Sequence, residues 1–391
     1  MFVKKLLERN CKHEHSIQPG EHTHLKEQKP FNANYFLSKL DGHPDYLEPN
    51  NDLKCQVENM AYNTKREISR SDFKIDVEIG SGNFGKVCKG EVIGLYDSNS
   101  TTTVAIKSIH GLGNEIDLND LLCEIKLMGC INPHPNLVSM IGSCSSELKV
   151  EGKLWLLIEY CEYGDLRNYL KSNKEKIIEG KTSDAINSRC LLKWLHGIGK
   201  GMEYLAENKI MHGDLAARNV LMASNILEDD CPLVKIADFG LAKKLYDYLQ
   251  YEKTSRMLVP WKWMAIEYLK NDFFTLKSDV WSYGVLIWEV LSFGQNPYGH
   301  QTYDEVLQRL ETGYRLPYPD VIDVSSWSPE TLYEELCGRC FVEDSENRAN
   351  FEEVVQIIER HIFKEEKSDY NEMARIYQQN RANNYLKKSK S

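Results

Sequence analysis

The sequence predicts an α+β protein in which a small antiparallel β-sheet with one helix precedes a larger, mainly helical part. From Phe73 the residues Phe73, Ile75, Val77 and Ile79 alternate with polar neighbours, the period of a half-buried strand. Leu121, Leu122, Ile125 and Met128 then recur at three- and four-residue intervals, the period of a helix. After Tyr163 that helical period dominates, beginning with Leu191, Leu195, Ile198, Met202 and Leu205.

Further strands are expected at Val87 to Val92, Val104 to Ile109, Leu137 to Ile141 and Trp155 to Glu159. Further helices fit Ser278 to Ser292, Thr302 to Thr312, Pro329 to Cys340 and Phe351 to Phe363. Lys171 to Ser188 is charged and nearly free of apolar residues, which predicts a surface insertion between two helices. Residues 1–71 read as a polar tail, 72–365 as one folded domain with parts at 72–160 and 161–365, and 366–391 as a polar C-terminal tail, frayed or helical without a partner.

The chain has 391 residues, and 48 basic against 58 acidic side chains give a formal charge of −10. That balance argues against nucleic acid as a partner, because phosphate backbones are bound by clustered positive charge. The apolar runs Leu154 to Ile158 and Val285 to Trp288 fall far short of the ~18 residues that span a bilayer, and no transmembrane segment is expected. The first ten residues carry Lys4, Lys5, Glu8 and Arg9 with no apolar stretch behind them, unlike a secretory signal, so a cytoplasmic protein is expected. Eleven scattered cysteines do not resemble a disulfide framework. Cys337 and Cys340 have a C-x-x-C spacing but no second pair, and Cys11 with His13, His15, His22 and His24 has no hydrophobic framework to fix a metal.

Residues 80–87 read GSGNFGKV, placing Gly80, Gly82 and Gly85 in a tight turn with Ser81, Asn83, Phe84 and Lys86 between them. Backbone amides of such a turn approach phosphate oxygens without side-chain obstruction. A dinucleotide fold would open a helix at this point, whereas Val87 to Val92 reads as a strand. That also excludes a nicotinamide oxidoreductase. Lys107 ends VAIK at 104–107, and Glu124 follows 17 residues later on the helix-period segment. A lysine held near phosphates needs such a counter-charge.

With HGDLAARN at 212–219, DFG at 238–240 and AIE at 265–267, the chain resembles the protein kinase family in the order and spacing of its motifs from Phe73 to about Phe363. The resemblance implies a bilobal kinase fold, with ATP and Mg2+ as cofactors. It implies that Asp214 orients the nucleophile or accepts its proton, that Asn219 and Asp238 hold the metal, and that Lys107, paired with Glu124, grips the inner phosphates. It further implies an adenine slot of Ile79 and Val87 above, Ala105 beside Lys107, Leu221 below and the backbone of Glu159 and Cys161 along the hinge, with Ile158 gating the inner pocket.

Ala216 and Arg218 match the tyrosine-kinase form of the catalytic loop, and Pro260 to Ala265 resembles the platform that seats a tyrosine acceptor. Residues 199–221 and 278–298 are similar to receptor tyrosine kinases of the fibroblast, platelet-derived and vascular growth factor group. Protein tyrosine substrates and phosphotyrosine-reading signalling proteins are the partners this implies. Tyr246, Tyr248 and Tyr251 lie between Asp238 and Glu267, and the resemblance implies autophosphorylation there, Tyr251 occupying a position phosphorylated in many relatives. The sequence departs from the family pattern at Gly213, usually arginine, and at Ile266 and Ala349, usually proline. A pseudokinase scaffold that binds nucleotide and recruits partners is the alternative, but such proteins generally lose a lysine or aspartate that this chain keeps.

Overall fold

The structure, a computed structural model, describes residues 60–82, 85–95, 97, 100–109, 115–179, 188–224, 231–238, 260–319, 329–362, 370–377 and 379. Strands β1 (Phe73–Gly82), β2 (Gly85–Ile93), β3 (Thr101–Ser108), β4 (Met140–Cys144) and β5 (Trp155–Glu159) form one antiparallel sheet in the order β1-β2-β3-β5-β4. Residues paired across strands share a face. Phe73, Val92, Val104, Ile106, Trp155 and Leu157 make a small core on one side. The opposite face carries Ala105 and Lys107, in register with Ile158 and Leu156. Helix α1 (Glu115–Cys130) buries Leu118, Leu121, Leu122 and Ile125, which join the larger core.

The second lobe is helical: α2 (Leu166–Glu179), α3 (Ser188–Glu207), the hairpin β6 (Val220–Ala223) and β7 (Leu233–Ile236), then α4 (Ile266–Asn271), α5 (Leu276–Leu291), α6 (Tyr303–Glu311), α7 (Pro329–Cys340) and α8 (Phe351–His361). Capping boxes start three of these helices: Thr275 with Ser278, Thr302 with Glu305 and Asn350 with Glu353. Helix α5 is buried on all sides, as its apolar residues require, and forms the axis of the lobe. Among the described residues no helix is long and apolar enough to cross a membrane. This is the bilobal arrangement that the motifs imply.

Several elements differ from expectation. Of the alternating residues in β1 only Phe73 is buried; Ile75, Val77 and Ile79 are 38%, 56% and 46% exposed. β1 is an edge strand whose register shifts twice between Ile75 and Gly80, so its alternation does not keep one face inward. The strand expected at Leu137 to Ile141 runs instead over Met140–Cys144. Leu137 and Val138 are apolar because they dock on β7, where Val138 N donates to Ile236 O at 2.8 Å and Ile236 N donates to Asn136 O at 2.8 Å. The expected insertion at Lys171 to Ser188 is helical as far as Glu179, its lysines and glutamates being good helix formers, and Leu166, Leu170 and Ile177 bury one side. Helix α8, expected to run to Phe363, ends at His361.

Both ends of the expected domain also reach further. Tyr62 and Ile68 are buried, and Ile68 N donates to Ser143 O at 2.8 Å. At the other end residues 370–377 are helical and bury Met373.

Ile266 and Ala349, in place of two prolines, each have a local reason. Ile266 is the first residue of α4, where proline and non-proline residues are both accommodated, and its side chain is buried. Ala349 N donates to Arg339 O at 3.3 Å, a bond proline cannot make. Nearby, Arg348 is 1% exposed and donates to both carboxylate oxygens of Glu267 at 2.8 Å, with further bonds to Lys277 O at 2.8 Å and Val342 O at 3.0 Å. Removing one member leaves an uncompensated buried charge. Arg348→Ala should therefore lower unfolding stability by about 3–5 kcal/mol, measured by urea denaturation, and a loss under about 1 kcal/mol would contradict this reading of the pair.

Candidate active site

The β1–β2 hairpin brings Gly80 opposite Val87 and Gly82 opposite Gly85. A Cβ on Gly85 would lie 2.2 Å from Ser108 O, so the close approach of β2 to β3 requires glycine there. Ser81 and Lys86 flank the turn in register, while Asn83 and Phe84 lie outside the described residues. Val87 pairs with Lys107, and Ala105 with Ile158, so these side chains share the face that looks away from the small core. Leu221, in β6, is tied to the segment after β5: Tyr163 N donates to Met222 O at 3.1 Å and Met222 N to Gly164 O at 2.8 Å. Cys161, in that segment, is buried, and burial pushes its thiol up to about 12.

Lys107 Nζ lies 2.8 Å from Glu124 Oε1 and 2.8 Å from Asp238 Oδ1. One ammonium therefore joins the sheet, α1 and the segment after β7. Burial opposes its charge, but Asp238 and Glu124 outweigh burial and hold its pKa above the usual lysine value. Asp238 has φ +59°, a left-handed conformation uncommon outside glycine, and its carboxylate is half exposed. Strain of this kind clusters at functional sites.

Residues 212–219 form a loop that is held from beneath through three of its backbone amides. His212 N and Gly213 N donate to the two oxygens of Asp279 at 2.8 and 2.9 Å, and Ala217 N donates to Glu289 Oε2 at 2.9 Å. Both carboxylates belong to α5, so the buried axis of the lobe carries the loop. Gly213 has φ +77°, which glycine adopts without the penalty an arginine would meet. His212 Nε2 bonds Ala237 O at 3.0 Å while its Nδ1 accepts from Asp214 N at 3.2 Å, which fixes a neutral imidazole. Ala237 N also donates to Asn219 O at 2.8 Å, linking the loop to the backbone before Asp238.

Asp214 is buried at 8% exposure, and burial raises its pKa while Arg218 and Asn219 oppose the rise. Arg218 Nη2 donates to Asp214 Oδ1. Asn219 Nδ2 donates to Asp214 O and Oδ2, each at 2.7 Å, which leaves the Asn219 Oδ1 as its acceptor for a cation. The Arg218 guanidinium lies over the Trp263 ring at 4.4 Å, and Trp263 Nε1 donates to Glu289 Oε2 at 2.8 Å. The two segments that resemble tyrosine kinases, at Arg218 and at Pro260 to Ala265, thus meet through one contact.

A half-exposed aspartate and an amide oxygen are the hard oxygen donors that suit magnesium, which keeps several of its waters and takes one or two protein ligands plus phosphate. Tyr246, Tyr248 and Tyr251 lie outside the described residues. Asp279 and Glu289 were not expected as parts of this site, and His212 and Trp263 were expected only as members of the motifs at 212–219 and 260–265. The available signal was a pair of carboxylates in the largely apolar helix at Ser278 to Ser292, since acidic side chains are almost never fully buried unless they are partnered.

The model of the family described as protein tyrosine and serine/threonine kinase matches residues 73–358, and the chain belongs to that family. Among curated proteins it is similar to a fibroblast growth factor receptor of Strongylocentrotus purpuratus, at 33% identity over 78% of this chain and 30% of that protein. Fibroblast growth factor receptor 1 of Pleurodeles waltl is 37% identical over 65% of this chain and 31% of its own length. The tyrosine kinase receptor Cad96Ca of Drosophila melanogaster is 32% identical over 79% of this chain and 38% of its own. The match thus spans roughly a third of each relative.

Burial lowers the His212 pKa to about 4 from its ordinary 6.5. Its contribution to stability is complete above pH 6.5 and is lost as pH falls towards 4, because only the unfolded chain takes up the proton in that window. The difference in unfolding free energy between the native protein and His212→Asn should shrink by roughly 2 kcal/mol from pH 7 to pH 5. A difference that stays constant with pH would show that the ring is not buried as a neutral group.

Proposed function

We propose that this chain is an ATP- and Mg2+-dependent protein-tyrosine kinase that transfers the γ-phosphoryl group to tyrosine hydroxyls of proteins, its own among them, in cytoplasmic signalling. The observation that carries the reading is the meeting of Glu124, Lys107 and Asp238 through two contacts of 2.8 Å, since these residues are far apart in sequence. The named relatives include a tyrosine kinase receptor, which supports the same activity here.

In this reading Asp214 receives or orients the acceptor hydroxyl, and Arg218 and Asn219 hold its carboxylate in place. Lys107 neutralises phosphate charge, with Glu124 fixing its position. Asp238 and Asn219 Oδ1 hold the metal. When bound, the magnesium nucleotide supplies the transferable group and the cationic charge that phosphoryl transfer needs. The turn from Gly80 to Gly85 presents backbone amides to phosphate, while Ile79, Val87, Ala105, Leu221 and the backbone of Glu159 and Cys161 enclose the base. A tyrosine acceptor is favoured by the Arg218–Trp263 contact, which joins the catalytic loop to the platform that seats the longer side chain. The retained polar residues disfavour a pseudokinase scaffold.

Transfer of radiolabel from ATP to a mixed pool of tyrosine and serine peptides should label tyrosine. Asp214→Asn should reduce the rate by about 10²–10⁴-fold. Label on serine would overturn the acceptor assignment, and equal rates for the two proteins would remove Asp214 from the mechanism.

A further inference from the structure

Residues 370–377 form a helix beyond α8. Tyr370, Met373 and Tyr377 stand at three- and four-residue spacing, so they share one face. That face reaches elements of both lobes. The Tyr370 ring meets His196 of α3 edge-on at 4.8 Å, and its hydroxyl donates to Asn136 Oδ1 at 3.0 Å. Met373 is 4% exposed. The Tyr377 hydroxyl accepts from Lys235 Nζ at 2.8 Å and lies 3.2 Å from Ser139 Oγ and 3.5 Å from Glu159 Oε2.

Lys235, in β7, is 3% exposed, and its three protons are all engaged: by Glu159 Oε1 at 3.0 Å, Pro135 O at 3.0 Å and Tyr377. Glu159 also accepts from Ser139 N at 2.6 Å. Glu159 pairs with Val104, which puts its side chain on the sheet face opposite Ala105 and Lys107. The helix therefore grips the segment joining the lobes from the side away from the proposed nucleotide slot. Tyr370, Met373 and Tyr377 dock the described turns of this helix on the rest of the chain.

We propose that residues 370–377 are an intramolecular strap across the back of the hinge and that Tyr377 is a modification site: phosphorylation of its hydroxyl by a second copy of this chain unseats the strap. The proposal rests on the kinase reading above. The Tyr377 oxygen forms a bond to the γ-phosphorus, the bond from that phosphorus to the β–γ bridging oxygen breaks, and ADP leaves with the electron pair. The phenolic proton passes to Asp214 of the copy acting as enzyme and then to solvent. The strap opens to present the half-buried tyrosine by local unfolding. Once modified it does not reseat, because about −1.5 to −2 charges would then face Glu159, while Lys235 is already fully engaged.

The test combines phosphosite mapping by mass spectrometry with hydrogen exchange on the full chain, before and after incubation with ATP and Mg2+, alongside the peptide-transfer assay. Tyr377 should acquire phosphate, also in a tagged Asp214→Asn chain mixed with native protein, and exchange in peptides covering 370–377 and 233–237 should rise by about tenfold or more. The variant Tyr377→Glu should show the same faster exchange without ATP, with protection in α3 and α5 unchanged. Peptide transfer with no phosphate on Tyr377 overturns the modification site while leaving the kinase reading intact. Phosphate on Tyr377 with unchanged exchange, or unchanged exchange in Tyr377→Glu, overturns the strap. Absence of peptide transfer overturns the kinase reading itself, and Tyr377→Glu then still decides on the strap.

Discussion

The arrangement of this molecule depends on a single ammonium group. Lys107 leaves the centre of the sheet and is held between a carboxylate of α1 and the carboxylate of Asp238. A lone charge there would be costly to bury, and each of these acids without it would repel the other. The contact therefore couples three things that sequence keeps apart: the pairing of β3 with β2 and β5, the rotation of α1 and the conformation of the backbone after β7. Asp238 is held at a positive φ, a conformation that persists only where its surroundings over-determine it.

Beneath that contact the second lobe works as a rigid support. Helix α5 is largely apolar and buried, and its two carboxylates, Asp279 and Glu289, accept hydrogen bonds from backbone of the loop around Asp214. Burial pushes Asp279 up to about 7, against the pull of the two amides it accepts from. The loop thus takes its shape from the core rather than from solvent-exposed contacts. Arg348 and Glu267 do similar work below α4, where the ion pair is bidentate and its arginine is buried.

The two-lobed architecture and the candidate residues that meet at Lys107 were legible in the sequence, because both rest on local signals. Period 3.6 after Tyr163 and the glycines from Gly80 to Gly85 are written within a few residues of where they act. What was not legible depended on contacts between distant segments. Leu137 and Val138 read as strand because burial by β7 and burial in a sheet ask for the same side chains. Lys171 to Glu179 read as loop because charge on an exposed helical side looks like charge on a loop. The C-terminal tyrosines read as tail because nothing nearby in sequence announces Lys235 and Glu159, whose ion pair forms across the hinge. Asp279 and Glu289 were visible as charges in an apolar helix but gave no hint of which backbone they would bind.

The proposed kinase activity requires Lys107 and Glu124 to act as one unit in holding a magnesium nucleotide. Calorimetric titration of ATP with Mg2+ into the native protein, Lys107→Met, Glu124→Gln and the double variant measures that coupling directly. The two losses of affinity should be non-additive by about 0.5–3 kcal/mol, the second substitution costing little once the first is made. Losses that simply add, or variants that bind as tightly as the native chain, would mean that the contact seen between these residues has no part in binding nucleotide.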